Sequence, residues 1–186
     1  MKSLVITGAT GGLGQFAVER LQREYRCLPL GRSEDPQKIA VDSIDGLLLI
    51  AGAFAMGAAP EDFDKMLDAN LMTAVRTVEA LRSRIADDGR IIAISSAASL
   101  TKPDGMAAYS ASKAALNAYI ETLAKELQPR GITVNALLPS ALDTPAMRQS
   151  MPRNRLVPLE RVTETIAFLL RPEAAAVTGQ LIALTR

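Results

Sequence analysis

Short apolar runs alternate along this chain with longer, helix-like stretches. Ser3–Thr7, Cys27–Leu30, Leu47–Ala51, Arg90–Ser95, Ile132–Leu137 and Leu181–Thr185 are apolar almost throughout, as strands covered on both faces should be. Between them, Gly12–Tyr25, Glu61–Ala86, Ala107–Gln128 and Glu160–Leu170 read as helices. Pro60 fixes φ for a helix start, and Glu61 and Asp62 place acids at its positive dipole end. Pro129 and Gly131 stop the long third helix. The alternation predicts an α/β fold, a doubly wound parallel sheet with helices on both faces.

Composition narrows the picture. With 186 residues, 48% of them hydrophobic, the chain suits one compact domain spanning 1–186 with a substantial core. Twenty-one Lys and Arg against 20 Asp and Glu leave a net charge of +1, with no run of one sign to draw nucleic acid or a membrane surface. There is no His and only Cys27, which excludes disulfide frameworks, His-dependent catalysis and ordinary zinc sites. A reducing cytoplasm fits that usage. Leu4-Val5-Ile6 is too short for a signal-peptide core, and the uncharged stretch from Gly46 to Pro60 is shorter than the roughly 18 residues of a membrane span.

Two motifs carry chemistry. The loop Thr7-Gly8-Ala9-Thr10-Gly11-Gly12-Leu13-Gly14 follows the first apolar run directly and opens the first helix. Glycines there let the backbone approach a pyrophosphate, whose charge meets free amides at the helix N-terminus. Tyr109 and Lys113 stand four apart on a helix and share a face. A phenol titrates near 10, too high for easy proton exchange at neutral pH, and a neighbouring ammonium favours the phenolate, so the expectation is a lowered Tyr109 pKa and a general acid/base role. Ser96, 13 residues earlier at a strand end, can hold the oxygen of a reacting carbonyl or alcohol.

These motifs resemble the short-chain dehydrogenase/reductase family, with its Thr-Gly-x-x-x-Gly-x-Gly loop and Tyr-x-x-x-Lys pair, and the resemblance covers nearly the whole chain. It implies a Rossmann-type fold and a catalytic set of Asn70, Ser96, Tyr109 and Lys113, with Lys113 also binding the nicotinamide ribose and Asn70 holding a water that relays protons from Lys113. It further implies cofactor contacts from Thr7, Gly8, Thr10, Gly12, Leu13, Gly14, Ala51, Gly52, Tyr109 and Lys113. Pro139-Ser140-Ala141-Leu142-Asp143-Thr144 matches the family's Pro-Gly-x-x-x-Thr, so Pro139 and Thr144 would flank the nicotinamide carboxamide, with Ser140 in place of Gly. An acid after the second strand favours NAD and an Arg there favours NADP. Gly31-Arg32-Ser33 therefore points to NADP(H), with Arg32 on the 2′-phosphate and Ser33 adding a bond. Glu34, Asp35 or Asp42 could oppose the phosphate, which keeps NAD(H) open.

The chain departs from the family between the second and third strands, where only Arg32 to Asp45 intervene. If Lys38–Asp42 were a parallel edge strand, Ser43 to Asp45 would have to return to the opposite end of the sheet. Three residues reach at most about 11 Å, and a parallel crossover needs about a dozen residues. The segment is therefore itself the crossover: one edge βα unit is deleted and the sheet has about six strands in the order 2-1-3-4-5-6, with room for a short antiparallel remnant. The helix over the adenine is lost or shortened, so a more open adenine pocket is expected. Leu49-Ile50 replace the family's paired Asn, leaving apolar packing to steady the central strands.

Pro145 to Pro158 reads as a single reduced loop on the substrate side. The broad apolar surface of Ala107–Gln128 suggests a helix-to-helix subunit contact, hence a homodimer or homotetramer. The reading is an NADP(H)-dependent oxidoreductase for a small carbonyl or alcohol substrate. The alternative is a nucleotide-binding sensor on the same fold.

Overall fold

A computed structural model describes residues 1–31 and 34–186; Arg32 and Ser33, expected at the 2′-phosphate, lie outside the described residues. Six strands form one sheet: β1 (Ser3–Thr7), β2 (Arg26–Leu30), β3 (Ile44–Leu49), β4 (Ile85–Ile94), β5 (Thr133–Pro139) and β6 (Leu181–Leu184). Their order is β2-β1-β3-β4-β5-β6 and every pairing is parallel, as the crossover argument requires. The helices are α1 (Gly12–Leu21), α2 (Pro60–Leu67), α3 (Thr73–Leu81), α4 (Ala98–Thr101), α5 (Ala107–Leu127), α6 (Pro145–Arg148) and α7 (Leu159–Leu169).

Alternation along the strands builds a core on each face of the sheet. Val5, Leu47, Leu49, Ile91 and Ala93 point to one side and pack with Val78, Leu81, Leu116, Ile120 and Leu123 of α3 and α5. Leu4, Ile6, Leu48, Ile92 and Ile94 point to the other and pack with Leu13, Ala17, Val162 and Ile166 of α1 and α7. The strands are apolar on both sides because both sides are covered.

Several boundaries differ from the sequence reading. The helix expected over Glu61–Ala86 is interrupted by a π turn at Asp68–Met72, and Ala86 belongs to β4, which starts at Ile85 rather than Arg90. Asp87-Asp88-Gly89 hid that start: Asp88 adopts φ +59° and the pairing register with β3 shifts between Ile44 and Gly46, so the strand bends where charge and Gly suggested a loop. The expected loop after Pro145 contains α6, capped by the Thr144 hydroxyl, which accepts from the Met147 amide.

Residues 34–43 hold no strand, so the antiparallel remnant is absent among the described residues; a 3₁₀ turn at Pro36–Lys38 is their one regular element. This strap lies against the sheet, with Ile39 and Val41 packed on the α3–α5 core. Arg84 clamps it, its guanidinium donating to the carbonyls of Pro36 (2.9 Å), Ile39 (2.9 Å) and Val41 (3.2 Å). With the outer unit gone, β2 is the edge of the sheet, and its Pro29 is exposed.

Candidate active site

The glycine loop joins β1 to α1 under tight steric control. Gly8 has φ +66°, and a Cβ there would lie 2.8 Å from the Ala51 backbone. A Cβ on Gly14 would strike the Gly8 carbonyl oxygen, so the loop closes on itself only with glycine at both positions. The first turn of α1 has no side-chain cap and no acidic residue, which leaves its amides open to an anion.

The Thr7 hydroxyl, expected among the cofactor contacts, is engaged within the fold. It donates to the Leu48 carbonyl (3.2 Å) and accepts from the amides of Ile50 (3.0 Å) and Ala51 (3.1 Å). It thus ties β1 to the end of β3, where packing alone was expected to replace the missing paired Asn. Above this joint opens a cavity of about 680 Å³. The glycine loop forms its floor, Gly31, Glu34 and Pro36 one wall, Thr73, Arg76 and Thr77 of α3 another, and Gly52 and Thr144 its far end. Thr10, Gly12, Leu13 and Ala51 also line it.

Of the four candidate catalytic residues, Asn70 and Lys113 reach this cavity through Gly52. Ser96 follows β4, buried, with Oγ accepting from the Ala98 amide at 3.2 Å. Tyr109 opens α5, its hydroxyl interacting with Ser96 and its ring meeting Phe54 edge-on at 5.0 Å between centroids. Lys113 is 5% exposed and donates from Nζ to the Ile94 carbonyl at 2.9 Å. Asn70 lies in the π turn, 1% exposed; its amide accepts from the Ala53 N–H (2.9 Å) and donates to the Ala53 carbonyl (3.0 Å) and Ser112 Oγ (3.0 Å). Gly52 sits against this pair, since a Cβ there would come 2.6 Å from Asn70 Oδ1 and 3.4 Å from Lys113 Nζ.

Burial governs the titration of the two proton-bearing groups. It lowers the Lys113 pKa to about 8. The Tyr109 phenol is raised by burial, which outweighs the lowering effect of its hydrogen bond with Ser96. The expected depression of Tyr109 by Lys113 is therefore not found. The Lys113 ammonium is itself desolvated and turned toward Ile94.

A family model described as enoyl-(acyl carrier protein) reductase matches residues 35–185. A 3-oxoacyl-(acyl-carrier-protein) reductase of Aggregatibacter actinomycetemcomitans is 32% identical over 96% of this chain and 80% of its own length. The short-chain dehydrogenase family is thereby shown. This chain belongs to it. A short-chain dehydrogenase from Burkholderia cenocepacia, solved in complex with NADP, is 26% identical, with a TM-score of 0.84 over 98% of this chain and 96% of that one. An Escherichia coli relative, a cyclic-di-GMP-binding biofilm dispersal mediator protein, is 36% identical over 75% of this chain and 65% of its own length.

In this short family member the Pro139–Thr144 segment closes on the glycine loop. The methyl group of Thr144 would lie 3.4 Å from a Cβ on Gly12, and the Pro139 carbonyl accepts from the Ala97 amide just beyond Ser96 at 3.0 Å. Ser140 takes no positive φ, so it replaces Gly without backbone strain. Asp143, nearly buried, pairs with Arg148 (2.5 Å) and Arg153 (3.1 Å) and so folds the substrate-side segment onto itself; these arginines hold its carboxyl below the usual range.

Sequence reasoning missed Asn117. Its Nδ2 donates to Ser99 Oγ (2.9 Å), which donates to the Ser96 carbonyl (2.7 Å), all three residues being buried. Tyr109, Lys113 and Asn117 recur every fourth residue along one stripe of α5. That spacing was the available signal. Through Lys113 on Ile94 and Asn117 on Ser99, α5 grips the end of β4 on both sides of the Ser95–Ser96 step.

Proposed function

We propose that this oxidoreductase interconverts a carbonyl and an alcohol with an NAD(P)(H) cofactor, Tyr109 serving as general acid/base. The observation that carries this reading is the convergence of Lys113 and Asn70 on Gly52, which lines a cavity floored by the glycine loop. The fit to a dinucleotide rests on the open amides of α1 and the glycines whose missing Cβ atoms leave the loop accessible. When bound, a reduced nicotinamide supplies the hydride that the carbonyl carbon receives. Ser96 Oγ holds the carbonyl oxygen, and Tyr109 Oη gives that oxygen its proton. Lys113 binds the nicotinamide ribose and replenishes the phenol's proton, while Asn70 fixes Gly52-Ala53 so that the nicotinamide end keeps its shape. The water relay through Asn70 belongs to the same proposal.

NADP(H) is the preferred form in this reading, carried by Arg32 and Ser33 in the sequence and by the NADP-bound Burkholderia relative. Opposing it, Glu34 Oε2 accepts from the Gly31 amide at 2.5 Å, which sets a carboxylate at the end of β2. The named activities of the reductase relatives favour a 3-oxoacyl-type carbonyl as the first substrate to try. A homodimer through α3 and α5 is proposed on the exposed small residues Ala111, Ala114 and Ala118 of α5.

The second reading, a nucleotide-binding sensor, is favoured by the Escherichia coli relative's cyclic-dinucleotide binding. Fluorescence titration of NADPH and NADH, followed by a carbonyl panel with wild type and Tyr109→Phe, separates the two. Turnover that the substitution abolishes supports the enzyme. Binding without Tyr109-dependent turnover supports the sensor, and no binding of NADPH or NADH at millimolar concentration overturns the enzyme.

A further inference from the structure

Beside the glycine loop the cavity forms a cleft between two walls. One wall is the strap, with Glu34 and Pro36; the other is α3, with Thr73, Arg76 and Thr77. Among the described residues lining the cavity, Arg76 is the one basic side chain, set against two acids, Glu34 and Asp68.

Arg76 does not extend freely into solvent. Its Nη2 lies 2.8 Å from Asp68 Oδ1, eight residues earlier, so the side chain must run back along the helix toward its N-terminal end. The π turn at Asp68–Met72 intervenes, and the Thr73 hydroxyl donates to the Asp68 carbonyl at 3.0 Å, fixing the backbone that carries the acid. The side chains are 61% and 64% exposed, and an ion pair that open contributes little to folding. Its consequence is positional: the guanidinium is tethered at one edge beside the cleft.

Resting on the dinucleotide reading above, the geometry also fixes which ligand part enters this cleft. Tyr109 and Ser96 mark the nicotinamide end and the amides of α1 mark the pyrophosphate, so the adenosine is left for the end bounded by Pro36 and Arg76. A guanidinium is planar, weakly hydrated and well suited to stack on a π face. We propose that Arg76 is the adenine-recognition residue of this chain, its tethered guanidinium forming the wall on which the base stacks and Pro36 standing opposite. A wall supplied by α3 replaces the cover that the deleted unit would have given. The contact is made with the base, common to both cofactors, and it therefore governs affinity for NADPH and NADH alike.

The test is equilibrium binding of NADPH, NADH and reduced nicotinamide mononucleotide, which lacks adenosine, to wild type, Arg76→Ala, Arg76→Lys and Arg76→Tyr. Arg76→Ala is expected to weaken both dinucleotides by the same factor, roughly five- to thirty-fold, and to leave the mononucleotide unchanged. Arg76→Lys, which keeps charge but loses the plane, is expected to remain weak, and Arg76→Tyr, which restores a plane, to recover most of the affinity. Unchanged dinucleotide binding in Arg76→Ala overturns the proposal. So does a loss confined to NADPH, which would put the 2′-phosphate against Arg76, or an equal loss for the mononucleotide. Failure of the wild type to bind either dinucleotide would instead remove the functional reading beneath it.

Discussion

Lys113 Nζ donates to the main-chain carbonyl of Ile94 at 2.9 Å, which locks the charged stripe of α5 onto the last residue of β4. Burial lowers this lysine from 10.5 to about 8. Below pH 8 the folded protein bears the full cost of an interred charge. Between about 8 and 10.5 the unfolded chain binds the proton and the folded chain does not, so this site's contribution to stability rises with pH. Lys113→Met should therefore be more stable than wild type at pH 7, with an advantage that shrinks by up to about 3 kcal/mol by pH 10. Urea unfolding at the two pH values measures this, and a pH-independent difference would sink it.

Tyr109 carries the opposite shift from the one its neighbour suggested. Raised by burial, the phenol should stay protonated through pH 10 in the free protein, ready to donate. The difference ultraviolet titration between wild type and Tyr109→Phe should show phenolate only above pH 10. Ser96→Ala should move it higher still, because the hydrogen bond that favours the phenolate is gone. A phenolate signal centred below pH 9 would contradict the burial argument.

In the proposed mechanism Asn117 and Ser99 act only through Ser96, which makes them positioning residues. Asn117→Leu and Ser99→Ala should each lower kcat by about tenfold with little change in cofactor affinity, and the double variant should lose barely more than either single one. Additive losses, or an affinity change matching the loss in kcat, would show that the chain Asn117–Ser99–Ser96 does not act as a unit. Asn117→Ser should fail to restore the rate because the shorter side chain cannot span the gap to Ser99.

Arg84→Ala removes the donor to four strap carbonyls, those of Pro36, Gln37, Ile39 and Val41. A loss of about 2 kcal/mol in unfolding free energy is expected, since the strap's carbonyls are left with poorer partners. Dinucleotide binding should weaken in parallel, because the strap carries Glu34 and Pro36 into the cavity wall. Intact affinity in a destabilised variant would mean that the strap shapes the fold but not the site.

The sheet order was legible because it follows from chain length: the residues between Leu30 and Ile44 are too few for a strand and its return. Gly8 and Gly14 were legible because their backbone conformation and contacts admit no other residue. The start of β4 was not, because Asp87-Asp88-Gly89 has turn chemistry and pairing with β3 overrides it. The π turn holding Asn70 left no trace in the residue pattern, and the contact Asn70 makes there, with Ala53, is 17 residues away. The direction of the Tyr109 shift required knowing how deeply the phenol is buried and where Lys113 points, neither of which the four-residue spacing determines.

Pro29 gives the shortened sheet a final property. A strand that became outermost when its neighbour was lost would invite an incoming chain to pair along it. A proline in so short a ladder supplies no donor and presents a ring to any strand trying to seat there. The truncated flank thus resists sheet-to-sheet pairing with another copy of this molecule.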